Sequence, residues 1–466
     1  MSEVEHYKNL VLGSGESGKY IAWTLAKAGE RTAVVERGLI GGSCPNIACL
    51  PSKNIIHSAK VASLFRRAVE FGVEAGPFKI NMDGVRSRKR QMVDGLIQAH
   101  LTNYEKNGAE LILGEGRLFG PRTVDITLKD GGTRRLAADR LFLNLGTHAT
   151  IPDVPGLADA KPLTHVEALD LDRIPDRLIL LGGGYVGLEL AQAIRRIGSR
   201  VTVIERGSRL LGREDRDVGE ALLELFRDEG IEVLLQTNLL SVSGTSGQSI
   251  CVTIERNGES REIGATDLLV ATGRTPNTQG IGLDKAGVEL DSRGYVKVNQ
   301  RLETTSPAVW AMGECAGSPQ FTHVAFDDFR IVRDNLNGGN RTTQNRLVPF
   351  CLFTDPEFAR VGLSESEARK LGVGYRVAKM PMQDVLRAKT LSETRGFLKM
   401  LIAEESNRIL GFAAFGAEAG ELIAVVQTAM LGGMSFDSLR DAIFTHPTMA
   451  EGLSALLAGV QVRQLS

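Results

Sequence analysis

Cys44 and Cys49 stand five positions apart in Gly41-Gly42-Ser43-Cys44-Pro45-Asn46-Ile47-Ala48-Cys49-Leu50-Pro51-Ser52-Lys53. Two close thiols invite redox or metal chemistry. In a regular helix, residues five apart lie about 7.5 Å along the axis and about 140° around it. A disulfide holds its Cα atoms about 4.4–6.8 Å apart. If the two bond, the chain between them is not ideal helix, and Pro45 is placed to keep Cys44 outside the first regular turn. Cys49 near a helix start would feel a dipole that favours its thiolate. Zinc is poorly served, because no C-x-x-C elsewhere supplies further ligands, so no metal site is expected. An inert buried pair is the alternative. Cys251, Cys315 and Cys351 are scattered singly and read as small buried hydrophobes. Near the other end, His446 and Glu451 lie in Thr445-His446-Pro447-Thr448-Met449-Ala450-Glu451. Disulfide reduction needs a group that holds a proton for the leaving thiolate, and a histidine with a carboxylate partner titrates in the right range. His6, His57, His100, His148 and His165 fall in no pattern.

These groups need a frame. Asn9–Leu12 reads as a strand running into Gly13-Ser14-Gly15-Glu16-Ser17-Gly18, followed by a helical pattern and a strand Thr32–Val35 that ends at Glu36. This is a β-turn-α-β unit with a G-x-G-x-x-G turn in its proper context. Gly13 permits the tight turn, Gly15 lets a pyrophosphate approach the backbone, and Gly18 lets helix pack on strand. The helix N-terminus offers free N–H groups to the phosphates, and Glu36 would accept from ribose hydroxyls. The pattern recurs with strand Leu178–Leu181, turn Gly182-Gly183-Gly184-Tyr185-Val186-Gly187, helix Leu188–Ile197 and strand Val201–Ile204 ending at Glu205. The acid follows the last glycine by 18 residues both times. Two copies in register imply two separate dinucleotides.

The remaining chain connects and closes these units. Helical patterns cover Ser52–Arg67 and Met82–Asn107, and strands are expected over Leu111–Val124 and Arg134–Leu145. Gly146-Thr147 and Thr272-Gly273 each follow a strand and suggest a chain crossing between domains beside a bound nucleotide. Phe353–Val361, Tyr375–Met380 and Phe397–Ile402 read as strands, and Glu421–Leu431 and Phe436–Ala442 as helices, without a further dinucleotide turn. The run Arg86-Ser87-Arg88-Lys89-Arg90 reads as a solvated helix face, because no aromatics interleave. With 55 Lys+Arg against 56 Asp+Glu, the net charge of −1 argues against nucleic-acid binding. No apolar run reaches the ~18 residues of a membrane span. No basic, apolar leader precedes the first strand, so the cytoplasm is the expected compartment.

At this point the sequence resembles the class I pyridine nucleotide-disulfide oxidoreductases, whose members include dihydrolipoyl dehydrogenase, glutathione reductase and mercuric reductase. The family's redox motif, G-G-x-C-x-N-x-x-C-x-P-[ST]-K, is met at every fixed position from Gly41 to Lys53. The resemblance covers essentially the whole chain. It implies an α/β fold of two Rossmann-like dinucleotide-binding domains plus a C-terminal α+β dimerisation domain. The implied divisions are 1–150 for the first part of the FAD domain, 151–273 for the NAD(P) domain, 274–346 for a central segment completing the FAD site and 347–466 for the interface domain.

By the same resemblance Cys44 exchanges with substrate and Cys49 lies against the flavin. Lys53 sits near the flavin's reactive edge, paired with Glu189. FAD contacts are implied at Gly13, Gly15, Gly18, Glu36, Gly42, Ser43, Lys53, Gly116, Gly146 and Thr147. Glu314 and His323 match the segment that closes over the ribityl chain and pyrimidine end. The family usually carries Gly-Asp where Gly313-Glu314 stands, so a longer side chain must re-aim that contact. The second dinucleotide falls to Gly182, Gly184, Gly187, Glu205, Arg206, Gly273 and Arg274. Tyr185 takes the place of an aromatic gate in some members, or else packs the helix start. Glu205 suits the 2′-hydroxyl of NADH, whereas Arg206 and Arg209 would offset its repulsion of a 2′-phosphate; NADH is favoured, with NADPH the alternative. His446, with Glu451, is carried across a homodimer interface in the family.

The acceptor is implied to be a small disulfide, and elimination points toward a dihydrolipoyl-dehydrogenase type. Trp23 stands where glutathione reductases carry a substrate-binding arginine. No cysteine follows Cys351, so the C-terminal thiols of mercuric reductase and of large thioredoxin reductases are missing. Pro45, Ala48 and Glu314 depart from the dihydrolipoyl subgroup, which leaves a metal-ion or oxidant reductase as an alternative. A nucleotide-binding redox sensor is the second alternative, although a sensor needs no proton donor such as His446.

Overall fold

The computed structural model describes residues 4–462. Strand Val4–Leu12 lies between Thr32–Glu36 and Thr133–Leu143, all parallel, with Glu110–Gly120 and Val309–Ala311 outside them. Near-continuous apolar runs form these strands because both faces are covered. Val11, Val34 and Phe142 face helices Glu16–Lys27 and Thr322–Leu336, while Leu10, Leu12 and Val35 face an antiparallel meander. The meander is built from the same chain. Glu110–Leu113 pairs with the parallel layer, and Gly114–Gly120 then pairs with Thr123–Leu128, which also pairs with the start of Thr133–Leu143.

The second unit repeats the logic. Its parallel sheet runs Asp267–Val270, Arg177–Leu181, Arg200–Ile204, Glu232–Leu234. Leu178 and Leu180 face the helix side with Leu188 and Phe226, and Ile179 and Leu181 face a three-stranded antiparallel layer through Val252 and Ile254. That alternation is the period of two expected of a strand. The two crossings between units, Thr147–Ala149 and Arg274–Pro276, pair antiparallel with each other. The third unit is a five-stranded antiparallel sheet in the order Phe350–Leu352, Glu357–Gly362, Ile409–Gly416, Phe397–Ala403, Tyr375–Pro381. Helix Ala419–Leu431 covers it with Leu422, Ile423 and Val426.

Three sequence expectations are corrected. The single strand expected over Phe353–Val361 is two, Phe350–Leu352 and Glu357–Gly362, separated around Asp355-Pro356. The basic run is a solvated face at Ser87, Arg88 and Arg90 but not at Lys89. Lys89 is buried, and its ammonium donates to Leu169 O at 2.8 Å and Asp170 Oδ1 at 2.7 Å, so helix Met82–Asn107 is pinned to the second unit. Of the three single cysteines, only Cys315 is buried. Cys251 sits on the outer three-stranded layer, and Cys351 at a sheet edge, both partly exposed.

Candidate active site

The two cysteines do not share one helix. Ser43–Ile47 forms a short helical turn containing Cys44 and Pro45, the chain breaks at Ala48 (φ −135°, ψ −105°), and Cys49 begins the helix Cys49–Arg66. The break therefore falls at Ala48, and Pro45 lies inside the turn instead of excluding Cys44 from it. Asn46 holds the loop, donating to Ile40 O at 2.9 Å and Gly42 O at 2.7 Å. Gly42 has φ +83°, and a Cβ there would meet Gly15 Cα at 2.5 Å, so the redox loop and the first glycine turn touch backbone to backbone.

Both thiols are free. The neighbouring Cys44 thiol, the Thr322 hydroxyl 3.3 Å from Cys49 Sγ and the Lys53 ammonium together outweigh burial and bring the Cys49 thiol down to about 6. Cys44 moves up, because Cys49 stands beside it and it is itself buried. Lys53 Nζ donates to Glu189 Oε2 at 2.7 Å and lies 4.5 Å from the Phe353 ring centre. Glu189 Oε1 accepts the Phe353 N–H at 2.9 Å.

A cavity of about 460 Å³ passes from Glu36, Arg37 and Glu115 along Gly13, Gly15 and Asn144 to Cys44, Glu314, Phe321 and Thr322. Gly42, Ser43, Gly116, Gly146, Thr147 and Arg274 also line it. Its size and glycine floor fit an extended dinucleotide. Cys44 contributes to the wall directly, whereas Cys49 reaches it through Thr322. Gly13 has φ +95°, and Gly18 packs against Gly13 O, as the tight turn requires. Asn144 locks that turn: its Oδ1 accepts the Gly18 N–H at 3.0 Å and its Nδ2 donates to Met312 O at 3.1 Å. Glu36 is fully engaged, accepting from Ser14 N and Oγ at 2.9 and 2.8 Å and from Gly38 N and Leu39 N at 2.8 Å each. Glu314 turns to the Thr147 hydroxyl and to Arg274 Nε at 3.2 Å, so the longer acid is held by the crossing strands. His323 lies outside the lining and meets Pro349 O at 2.8 Å.

The second turn is more open. A Cβ at Gly184 would meet nothing within 4 Å, while Gly182 and Gly187 pack on Ala271 O and Gly182 O. Glu205 accepts Gly183 N–H and Gly207 N–H at 2.6 Å each, and Arg206 is exposed. Gly273, at φ +144°, sits on the crossing just before Arg274. Tyr185 is boxed by Phe321 and Phe350, with ring centres at 6.3 and 6.0 Å.

The redox groups gather in one place, but His446 does not join them within one chain. It pairs through Nδ1 with Glu451 at 2.9 Å, and its side chain is 63% exposed. Trp23 stacks on His100 and edges onto Tyr20 and Tyr104, so it offers packing and no charge. Sequence reasoning missed Asn144, His148 and His165, which line the cavity together with Thr322. Burial and the neighbouring Arg274 lower His165 to about 4, which keeps it neutral.

The model of the pyridine nucleotide-disulphide oxidoreductase family matches residues 7–328, and that of its dimerisation domain residues 348–456. The chain belongs to the pyridine nucleotide-disulphide oxidoreductases. It is a flavoprotein disulfide oxidoreductase that works with FAD and a pyridine nucleotide, and its last unit is the family's dimerisation domain. It is 33% identical over 98% of its length to the probable pyridine nucleotide-disulfide oxidoreductase RclA of Escherichia coli, covering 99% of that protein. It is 37% identical, over 98% of this chain and 83% of the relative, to a mercuric reductase of Acidithiobacillus ferrooxidans. Among solved structures, the Cu(II) complex of HOCl-induced RclA from Escherichia coli superposes with a TM-score of 0.89 at 32% identity, covering 98% of this chain and 100% of that one. Among the described residues no helix is long and apolar enough to cross a membrane, and no group of three or more His, Cys, Asp or Glu could hold a metal ion.

Proposed function

We propose that the chain carries two electrons from NADH or NADPH to a small disulfide through Cys44 and Cys49, with FAD in the large cavity and the nicotinamide dinucleotide at the second glycine turn. FAD, when bound there, supplies the two-electron relay between nicotinamide and thiols. Gly13, Gly15 and Gly18 would receive its pyrophosphate, with Gly42, Ser43, Gly116, Gly146, Thr147 and Glu314 along its length. Glu36, already saturated, would share its oxygens with a ribose by giving up one loop N–H.

The observation that carries this reading is the placement of two free thiols at a dinucleotide-sized cavity, Cys44 on its wall and Cys49 3.3 Å from the Thr322 hydroxyl that lines it. Cys44, Thr322 and Lys53 favour the thiolate at Cys49, and Cys49 beside it, with burial, favours the protonated form at Cys44. As substrate approaches, His446 takes up that proton, so that the Cys44 sulfur can attack one sulfur of the substrate disulfide. The disulfide bond breaks, and the departing thiolate takes a proton from His446, contributed across the dimer and oriented by Glu451. The Cys49 thiolate then attacks Cys44 in the mixed disulfide, closes Cys44–Cys49 and expels the second substrate sulfur as a thiolate, which takes its proton from solvent. Two electrons have left the dithiol and the substrate is fully reduced. Lys53 and Glu189 hold the flavin-side charge.

NADH is the favoured donor. Glu205 is fixed by two backbone N–H groups and cannot swing away from a 2′-phosphate, whereas exposed Arg206 offers a mobile counter-charge.

A metal ion or oxidant is the second substrate class. It is supported by mercuric reductase and the Cu(II) complex of RclA among the relatives. Anaerobic titration of the purified protein with NADH and NADPH tests the scheme. A long-wavelength band on two-electron reduction, lost in Cys49→Ser and retained in Cys44→Ser, is the expected result. Loss in Cys44→Ser alone would exchange the two roles. Bleaching without any such band would uncouple the thiols from the flavin and leave a diaphorase or sensor.

A further inference from the structure

Phe353 touches both members of the Lys53–Glu189 pair. Its N–H donates to Glu189 Oε1 at 2.9 Å, and Lys53 Nζ lies 4.5 Å from the centre of its ring. Lys53 Nζ donates to Glu189 Oε2 at 2.7 Å, so the three groups close a triangle. Phe353 sits between strands Phe350–Leu352 and Glu357–Gly362, within the dimerisation domain. The connection is fastened to the two helices that carry the pair. Asp355 accepts from Lys60 Nζ at 3.0 Å, on helix Cys49–Arg66, and its N–H donates to Gln192 Oε1 at 2.8 Å, on helix Tyr185–Ile197.

A lysine ammonium on its flexible four-carbon stem wanders unless it is held. Lys53 is 32% exposed, and Glu189 is its only carboxylate partner among the described residues. The face of an aromatic ring attracts a cation within about 6 Å of its centre, so Phe353 gives Lys53 a second hold that carries no charge of its own. A carboxylate in its place would cancel the positive charge that Cys49 senses. We infer that Phe353 is a positioning residue of the redox centre, its ring holding the Lys53 ammonium beside Cys49 and its N–H holding Glu189. The dimerisation domain then serves the thiols of its own chain through Phe353, as well as those of the partner through His446. This rests on the assignment of FAD and of the two thiols made above.

The test is a pH titration of the FAD-loaded protein after anaerobic two-electron reduction by NADH, following the long-wavelength band of a thiolate against the flavin. Wild type is compared with Phe353→Leu, Phe353→Tyr, Lys53→Met and the Phe353→Leu/Lys53→Met double variant. The groups facing Cys49 are Cys44, Thr322, Lys53 and Glu189, and Phe353→Leu alters none of them in identity. It keeps the backbone N–H and an apolar side chain and removes the aromatic face. A partly exposed cation–π contact is worth about a two- to fivefold change in an equilibrium constant. Phe353→Leu is expected to weaken Cys49 as an acid by about that factor, and Phe353→Tyr, which keeps the face, to titrate as wild type. In the Lys53→Met background Phe353→Leu is expected to add nothing, since the ring acts through the cation. An unshifted Phe353→Leu midpoint, an equal shift in Phe353→Tyr, or the same shift with Lys53 absent overturns the inference. If Phe353→Leu does not retain FAD, Phe353→Met replaces it as an apolar chain without a ring, and an unshifted midpoint again overturns the inference. A wild-type protein with no such band at any pH would overturn the assignment of Cys49 to the flavin, a result distinct from failure of Phe353 alone.

Discussion

Cys49 Sγ and Thr322 Oγ1 lie 3.3 Å apart, although 273 residues separate them in sequence. The thiol begins one helix, Cys49–Arg66, and the hydroxyl begins another, Thr322–Leu336. Two helix starts therefore converge on one sulfur, and the positive ends of their dipoles favour a negative charge there. The thiolate is built by the fold as much as by the cysteine motif.

The pair should titrate as a unit. Cys49 falls from 9.0 to about 6 on folding, so its contribution to stability is absent below about 6 and grows as pH rises toward 9. Cys44 is shifted upward, so above about 9 the unfolded chain releases a proton that the folded chain keeps, and stability falls again. The reduced protein is expected to be most stable near pH 9, where the first effect saturates and the second begins. Thiolate absorbance at 240 nm and thermal melts across pH 5–10 check it; a monotonic profile contradicts the coupling. Cys44→Ala is expected to raise the Cys49 midpoint, because Cys44 is the largest stabilising partner.

Removing Lys53 leaves Glu189 charged and 8% exposed without its cation. Lys53→Met is expected to cost about 2 kcal/mol of stability, below the ~3–5 kcal/mol of a fully buried pair because Lys53 itself reaches solvent. It should also raise the Cys49 midpoint. Urea unfolding and thiolate titration of the same variant read the two effects separately.

His446→Gln is expected to leave reduction of the flavin by NADH intact and to lower disulfide turnover by about 10²–10⁴-fold, the usual worth of a positioned proton donor. Glu451→Gln should fall between that variant and wild type. Equal turnover in His446→Gln would remove the histidine from the reaction.

Lys399 is buried and donates to Asp215 at 2.9 Å, Asp217 at 3.0 Å and Glu365 at 3.1 Å, tying the second unit to the third. Burial pushes Asp215 up, but Lys399 and the Ser366 N–H and hydroxyl outweigh it and hold the carboxyl at about 2. That stability is present above 3.8, the ordinary value, and is lost as pH falls toward 2. Lys399→Met is expected to cost about 3–5 kcal/mol near neutral pH and to flatten the acid limb of the melting curve between pH 4 and 2.

The motifs that sequence made legible are local ones. The glycine turns, their acids and the Gly41–Lys53 segment carry their meaning within a few dozen residues, and the first turn, Glu36 and Gly42–Cys44 line one cavity. Asn144 carried no signal, because its amide locks Gly18 from a strand 126 residues away. Arg360 looked like any strand residue until folding set it beside Glu214. Lys89 was misread for the same reason: a basic run exposes its charge in sequence, and only the fold supplies Asp170 and Leu169 O. The break at Ala48 was expected in kind and mislocated, since proline marks where a helix can start more than where it must stop.

Glu189 rides on a helix of the second unit, holds Lys53 of the first and receives the Phe353 N–H of the third. One carboxylate is thus the keystone of a three-part arch. Loosening any one part strips partners from a buried charge, so partial unfolding is disfavoured in every direction. A chain of this length would ordinarily melt in stages; this one should melt in a single calorimetric peak, and Glu189→Ala should split that peak into several.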